Sequence, residues 1–278
     1  MLSGNAHLMT LRNSSVNPSE AINTNQETRA FSYEKKKSNL YINNVAEIKR
    51  KDNIKFVDYK CPIFIDIETT GLNCYEDKII TLCMVMIVTD QNHEKTMIGR
   101  HYIFDPMKKS HPRAQEVHGF DDWTVRHQEV FQERSQEIYD FLKAGTAYVA
   151  HNAVFDIPFL RKAFAESGYV LPEKPIVCTK IEAQTLGERP ATLNACIARL
   201  GLSRAGKIHG ADEDALLTMV VYYSHRGMIV NIPQSNIEIG NMKFVPPIPE
   251  GALPRRSNIK KNKFIKEHLS QRQLEVGS

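Results

Sequence analysis

The sequence lacks the features of several common protein classes. No run of about 18 apolar residues occurs among its 278, so we expect no membrane-spanning helix, and the N-terminus has no apolar segment typical of a secretory signal. Cysteine is scarce and odd in number, without a Cys-x-x-Cys pair, which argues against a disulfide framework or a structural zinc site. We therefore expect a cytoplasmic protein with five reduced thiols, at Cys61, Cys74, Cys83, Cys178 and Cys196.

Positive charge is concentrated at the two ends of the chain, although the net charge is only +4. Residues 1–60 hold 10 Lys/Arg against 6 Asp/Glu, residues 245–278 hold 7 against 3, and the residues between them hold 19 against 23. The basic ends could neutralise nucleic-acid phosphates, or they could be solvated charge without a partner. Composition predicts a flexible basic arm over 1–58, a folded domain over 59–228, and a Pro-containing linker with a basic tail over 229–278.

The central segment shows strands first and then alternating helices and strands. Runs of β-branched and aromatic residues predict strands at 62–69, 78–89 and 96–104. Further along, the pattern predicts helices near 134–143, 153–166, 191–200 and 211–225, and strands near 146–151 and 175–179. Antiparallel strands followed by crossover helices indicate an α/β fold, with a mixed sheet that carries helices on its faces.

Two carboxylates interrupt the first predicted strand, in the stretch FIDIETTGL at 64–72. Asp66 and Glu68 are two positions apart, so their side chains share one face of the strand. Two like charges in a poorly hydrated place repel each other, and they need either raised pKa values or a bound cation. Taken alone, the pair could equally be a strand-end feature that caps a turn.

Two further motifs place an acidic side chain near the start of a helix. In HNAVFD, Asn152 is a candidate N-cap and Asp156 lies near the first helical turn. In HGADEDA, Asp214 falls in the first turn of the next helix, and its neighbour Glu213 is expected to face solvent. Singly, Asp156 would be typical of a helix-dipole partner and His209 of a loop histidine.

The motifs FIDIETTGL, VHGF, HNAVFD and HGADEDA, in this order, resemble those of the DnaQ-like 3′→5′ exonuclease family in its DEDDh form, which includes the proofreading subunit of bacterial replicative DNA polymerases. The resemblance covers about residues 60–227 and implies a ribonuclease H-like fold. It also implies two divalent ions, Mg²⁺ or Mn²⁺, which suit carboxylate ligands and phosphodiester hydrolysis. The implied metal ligands are Asp66, Glu68, Asp156 and Asp214. His209 would be the general base.

The same resemblance implies contacts with the terminal nucleotide. Thr69 would contact it through backbone and hydroxyl, Leu72 would pack on the base, His118 would lie beside it, and Phe155 could stack on a base. The alternatives are a simple turn at Thr69 and core packing for Leu72 and Phe155.

The implied activity is removal of nucleoside monophosphates from a DNA 3′ end, either alone or as the proofreading partner of a DNA polymerase. The residues do not separate DNA from RNA, because both substrates can satisfy the expected contacts. An RNA 3′-end trimming nuclease and a polymerase-docking subunit with minor activity therefore stay open as alternatives.

Overall fold

A six-stranded mixed sheet organises the described part of the chain. The computed structural model describes residues 54–93, 95–204, 208–228, 235–239 and 243–256, all of which fall in one compact unit, Ile42–Ser278. The strands are β1 (Pro62–Thr69), β2 (Ile79–Thr89), β3 (Lys95–Ile103), β4 (Ala147–Ala150), β5 (Ile176–Cys178) and β6 (Ser235–Ile239). They lie in the order β5-β4-β1-β2-β3-β6; the β1–β2 and β2–β3 pairs are antiparallel, and the other three are parallel. The predicted mixed α/β sheet is confirmed.

Seven helices occur among the described residues. They are α1 (Pro112–His118), α2 (Asp122–Arg126), α3 (Phe131–Ala144), α4 (Ala153–Glu166), α5 (Thr179–Thr185), α6 (Leu193–Arg199) and α7 (Ala211–His225). The sequence predicts α3, α4, α6 and α7 to within about three residues, but it does not predict α1, α2 or α5. None of the helices in the described ranges has the length and hydrophobicity needed to cross a bilayer.

The alternation of side chains along β1 divides the core between the two faces of the sheet. Ile63, Ile65 and Ile67 pack into a cluster with apolar residues of α3 and α4. Phe64 points the other way, into a second cluster formed with apolar residues of α7. Because Asp66 continues the Phe64 face at intervals of two residues, it lies on the side of the sheet that α7 covers.

The chain beyond residue 228 contributes a strand, so the prediction of a linker that begins at 229 was wrong for this part. Strand β6 pairs in parallel with β3, from Met97 opposite Ser235 to His101 opposite Ile239. A five-residue strand has too short a pattern to recognise, and its pairing depends on an edge that is made elsewhere in the chain.

Residues 243–256, here called the C-terminal strap, have no regular structure but bind α2 and its flanks. Trp123 donates from Nε1 to the Pro246 carbonyl at 2.7 Å, and the Lys243 backbone N–H donates to Gln128 Oε1 at 2.8 Å. At the end of the strap, Arg256 forms ion pairs with Asp105 and Asp122. Most of the predicted basic arm (1–53) and the tail from 257 onward lie outside the described residues.

Candidate active site

Asp66 and Glu68 lie where β1 extends beyond its parallel neighbour. β1 pairs with β4 only from Pro62 to Phe64, whereas its pairing with β2 continues to the end of the strand, with a bulge between Glu68 and Thr69. Bulges redirect side chains and are common beside active sites. The last part of β1 therefore has an edge that β4 does not cover, and other elements can place side chains there.

Asp156 reaches this edge from α4. Asp156 is 3% exposed, and the Ile67 backbone N–H lies close enough to its carboxyl group to lower the pKa in part. The chain enters α4 through Asn152, which has a left-handed φ of 82° that asparagine tolerates better than most residues. Asn152 occupies the predicted N-cap position, but its side-chain oxygen accepts from Lys180 Nζ at 3.3 Å and makes no cap hydrogen bond.

Asp214 and His209 come from the start of α7 and the residues just before it. Asp214 is 5% exposed, and its Oδ2 lies 3.7 Å from Nδ1 of His209, whose side chain is 40% exposed. The His209 backbone N–H donates to the Val117 carbonyl at the end of α1, at 3.0 Å. Glu68, His209 and Asp214 each offer a ligand atom within 4.8 Å of the others. Three predicted residues from two distant parts of the chain thus meet in one group suited to a metal ion.

Burial raises the pKa values of three acidic side chains of this cluster, Asp66, Glu68 and Asp156. Burial first, and then repulsion from Asp156 and Glu68, holds the pKa of Asp66 well above its ordinary value. Burial likewise raises the pKa of Glu68 to about 7 and that of Asp156 to about 8. Carboxylates in this situation gain stability from any cation that joins them.

One basic side chain that the sequence analysis did not single out enters the cluster. The Arg204 side chain is 8% exposed, donates to Asp214 through Nη1, and donates through Nε to the Asn194 side chain on α6. Glu213 is only 6% exposed and attracts Arg204 electrostatically, so the prediction that Glu213 faces solvent was wrong. A lone arginine in a loop carries no local signal; only the excess negative charge of the predicted carboxylates could have indicated it.

His209 is kept in its neutral form. Burial lowers its pKa, Arg204 lowers it further by repulsion, and attraction by Glu213 opposes the two without cancelling them. A neutral imidazole has a free lone pair and can accept a proton at neutral pH.

The turn that follows β1 is built around Asp77. The Asp77 carboxylate accepts hydrogen bonds from Thr70 Oγ1 at 2.9 Å, from the Asn73 backbone N–H at 3.1 Å and from Lys108 Nζ at 2.8 Å. A Cβ atom on Gly71 would lie 2.4 Å from Asp77 Oδ2, so any side chain at that position must displace the Asp77 carboxylate.

Helix α1 joins this turn to the other side of the site. The backbone N–H of His111, the N-cap of α1, donates to the Thr70 carbonyl at 2.7 Å. At the other end of α1, His118 is 1% exposed and its Nδ1 accepts from the Phe120 backbone N–H at 2.9 Å.

A cleft of about 510 Å³ connects these groups, a size usual for small-molecule sites. It is lined by the predicted catalytic residues other than Asp156, namely Asp66, Glu68, His209 and Asp214, and by Arg204. The predicted nucleotide-contacting residues also line it: Thr69, Leu72, His118 and Phe155. Leu72 is 86% exposed, which excludes the alternative of core packing for that residue. Phe155 is half-buried, with its ring 5.0 Å from that of Phe159, and the Thr69 hydroxyl donates to the Gly71 carbonyl.

A cluster of buried and half-buried carboxylates beside a neutral histidine, at the end of an inner strand of a mixed α/β sheet, is the arrangement of a metal-dependent nuclease. A family model described as Exonuclease (RNase_T) matches residues 63–222, which is more than half of the chain. The chain therefore belongs to the RNase_T exonuclease family and carries a 3′→5′ exonuclease domain. Nucleases of this family require divalent metal ions, in agreement with the group formed by Glu68, His209 and Asp214.

Individual relatives agree with this assignment. The chain is 30% identical over 176 residues to DNA polymerase III subunit epsilon of Escherichia coli, covering 59% of this chain and 71% of that protein. It is 29% identical over 164 residues to the 3′-5′ exonuclease DinG of Bacillus subtilis, covering 58% of this chain but 17% of DinG. A solved structure of exonuclease I has the same fold at 16% identity and a TM-score of 0.50, and the match spans 60% of this chain and 40% of exonuclease I.

Proposed function

We propose that this chain removes nucleoside monophosphates one at a time from the 3′ end of DNA, using two divalent ions, Mg²⁺ or Mn²⁺. The observation that carries the proposal is the group formed by Glu68, His209 and Asp214, whose ligand atoms lie within 4.8 Å of one another. DNA is the proposed substrate because the epsilon subunit is, by name, part of a DNA polymerase.

The donor set fits divalent metal. Mg²⁺ and Mn²⁺ prefer carboxylate oxygens and accept phosphate oxygens and water as further ligands. Asp66, Glu68, Asp156 and Asp214 would hold the ions. The pKa values of the first three are raised and Asp214 is buried, so all four carboxylates would be stabilised by a bound cation. When bound, the ions supply a water of lowered pKa and stabilise the negative charge on the phosphate and on the leaving oxygen.

His209 would take the proton from the attacking water. It is neutral at pH 7, its Nδ1 lies 3.7 Å from Asp214, and its 40% exposure leaves the ring accessible from the cleft. Replacing His209 with glutamine should therefore lower kcat by about 10² to 10⁴, while the carboxylates still bind metal.

The other wall of the cleft would hold the terminal nucleotide. Leu72 presents an exposed apolar surface on which a base can pack, and the aromatic side chain of Phe155 lines the same cleft. Thr69 and His118 line the cleft beside them and would fix the sugar and phosphate.

Digestion of 5′-labelled oligonucleotides tests the proposal. DNA and RNA, each single-stranded, paired and with a mismatched 3′ end, are incubated with Mg²⁺, Mn²⁺ or chelator. We expect a ladder of shortened 5′-labelled DNA and mononucleotide product, with no digestion in chelator or by the Asp214→Asn variant. The matched control is Asp140→Asn, which changes an exposed carboxylate on α3 and should digest normally.

The panel also separates the alternatives. Digestion that persists in chelator, or that proceeds from the 5′ end, would refute the proposal. Faster digestion of RNA than of DNA would favour the RNA-trimming alternative. Preferential removal of a mismatched 3′ nucleotide over a paired one is the result expected of a proofreading partner of a polymerase.

A further inference from the structure

Arg204 takes up the same carboxylate that the proposed metal site requires. We propose that Arg204 is an internal counter-charge which competes with divalent metal for Asp214 and leaves that carboxylate when metal binds. This inference rests on the proposed function, because it assumes that Asp214 is a metal ligand.

Both side chains of the Arg204–Asp214 ion pair are buried. Arg204 donates from Nη1 to Oδ1 of Asp214, and the two side chains are 8% and 6% exposed. Asn194 on α6 accepts a hydrogen bond from Arg204 Nε and so orients the guanidinium toward the cluster. This arginine is therefore directed into the site by a specific partner and is not a surface charge lying across it.

The charge around Arg204 favours this position. Besides its contact with Asp214, the Arg204 guanidinium is attracted electrostatically by the nearby carboxyl groups of Asp66 and Glu68. Buried Glu213 attracts it from the first turn of α7. The single positive charge of the Arg204 guanidinium thus attracts four acidic side chains.

The guanidinium and a divalent ion cannot both use Asp214 fully. Each needs the oxygen lone pairs of a carboxylate whose second oxygen already faces His209. The two cations would also repel each other at short distance in a poorly hydrated site. Metal binding must therefore break the Arg204–Asp214 contact, or the contact must weaken metal binding.

Competition and simple structural support predict opposite effects. If Arg204 only held the fold together, its removal would weaken metal binding along with stability. If it competes, its removal costs stability in chelator and strengthens metal binding. A buried hydrogen bond to a charged group is commonly worth enough to change an equilibrium constant about tenfold or more, which sets the expected size.

The test compares the full chain carrying Arg204→Gln with the wild type. Isothermal titration with Mn²⁺ should give a dissociation constant at least about tenfold lower for the variant. Thermal unfolding in EDTA should show a lower Tm for the variant, and saturating Mn²⁺ should reduce the difference. The matched control is Arg199→Gln on α6, which breaks a more exposed pair with Glu188 at 3.3 Å and should leave Mn²⁺ affinity unchanged.

A second variant covers the case in which Arg204→Gln does not fold. Asn194→Ala keeps the positive charge but removes the partner that orients it, and it should tighten Mn²⁺ binding by a few-fold. If the folded variants bind Mn²⁺ no more tightly than the wild type does, the proposed competition by Arg204 is refuted, while the proposed metal site is not. Failure of the wild type to bind Mn²⁺ at all would overturn the proposed metal site itself.

Discussion

Glu182 on α5 forms a buried ionic cluster with the end of α7, and it allows a quantitative prediction about the free energy of unfolding. Its carboxylate accepts from Arg226 at 2.8 Å and 3.1 Å and lies 3.1 Å from His225 Nδ1. The three side chains are 9%, 3% and 4% exposed. The cluster fixes the C-terminal end of α7, the helix whose first turn carries Asp214.

Replacing Glu182 with glutamine keeps the shape of the side chain but leaves the Arg226 charge buried without its partner. Breaking a buried ion pair in this way costs about 3 to 5 kcal/mol of the free energy of unfolding. The matched control, Glu188→Gln, breaks the partly exposed pair with Arg199 and should cost less than about 1 kcal/mol.

The difference between wild type and variant should also depend on pH. Burial alone would raise the pKa of Glu182, but the hydrogen bonds from His225 and Arg226 outweigh it, and the pKa lies below the ordinary 4.5. A lowered folded-state pKa means that the stabilisation is present above pH 4.5 and is lost as the pH falls through the folded-state value.

Urea unfolding followed by circular dichroism at pH 7.5 and at a series of acidic pH values measures both effects. We expect the advantage of the wild type over Glu182→Gln to be about 3 kcal/mol or more at pH 7.5 and to shrink below pH 4.5. If the variant loses no more stability than Glu188→Gln, or if the difference does not change with pH, the reasoning about this cluster is refuted.

Three further predictions concern the cleft and its surroundings. Glu68→Gln should abolish digestion yet raise Tm in EDTA at pH 8, because it removes a buried charge whose pKa is raised to about 7; a lower Tm would contradict this. Gly71→Ala should raise KM for DNA, since the new methyl group must displace Asp77, and an unchanged KM would show that the turn tolerates it. A chain that ends at residue 228 should melt lower and scatter more light than one that ends at 256, because it exposes the edge of β3; equal behaviour would mean that β6 and the strap are dispensable.

The sequence was most informative where a pattern was long or physically unusual. The 15-residue helix α7 and the strand β1 were predicted closely, and the carboxylates on β1 were conspicuous because charge is costly in a buried strand. Helices α1, α2 and α5 have five to seven residues, and at this length a repeating apolar pattern can be too weak to recognise, although it was recognisable in α6, which also has seven.

Arg204 and β6 could not be predicted because their roles depend on contacts distant in sequence. The role of Arg204 depends on its hydrogen bonds with Asp214 and Asn194, which form only in the folded protein. Strand β6 is defined by its pairing with β3, more than 130 residues earlier in the chain, and no local feature marks that partner.

Helix α1 connects the turn that follows β1 to His209, on the other side of the proposed active site. The backbone N–H of its N-cap, His111, donates a hydrogen bond to Thr70 in the proposed nucleotide-binding turn. In its last turn, the Val117 carbonyl accepts a hydrogen bond from the His209 backbone N–H. The distance between the proposed nucleotide-binding turn and His209, the proposed general base, is thus set by two turns of helix, and we expect a residue inserted into α1 to misalign the two without contacting either.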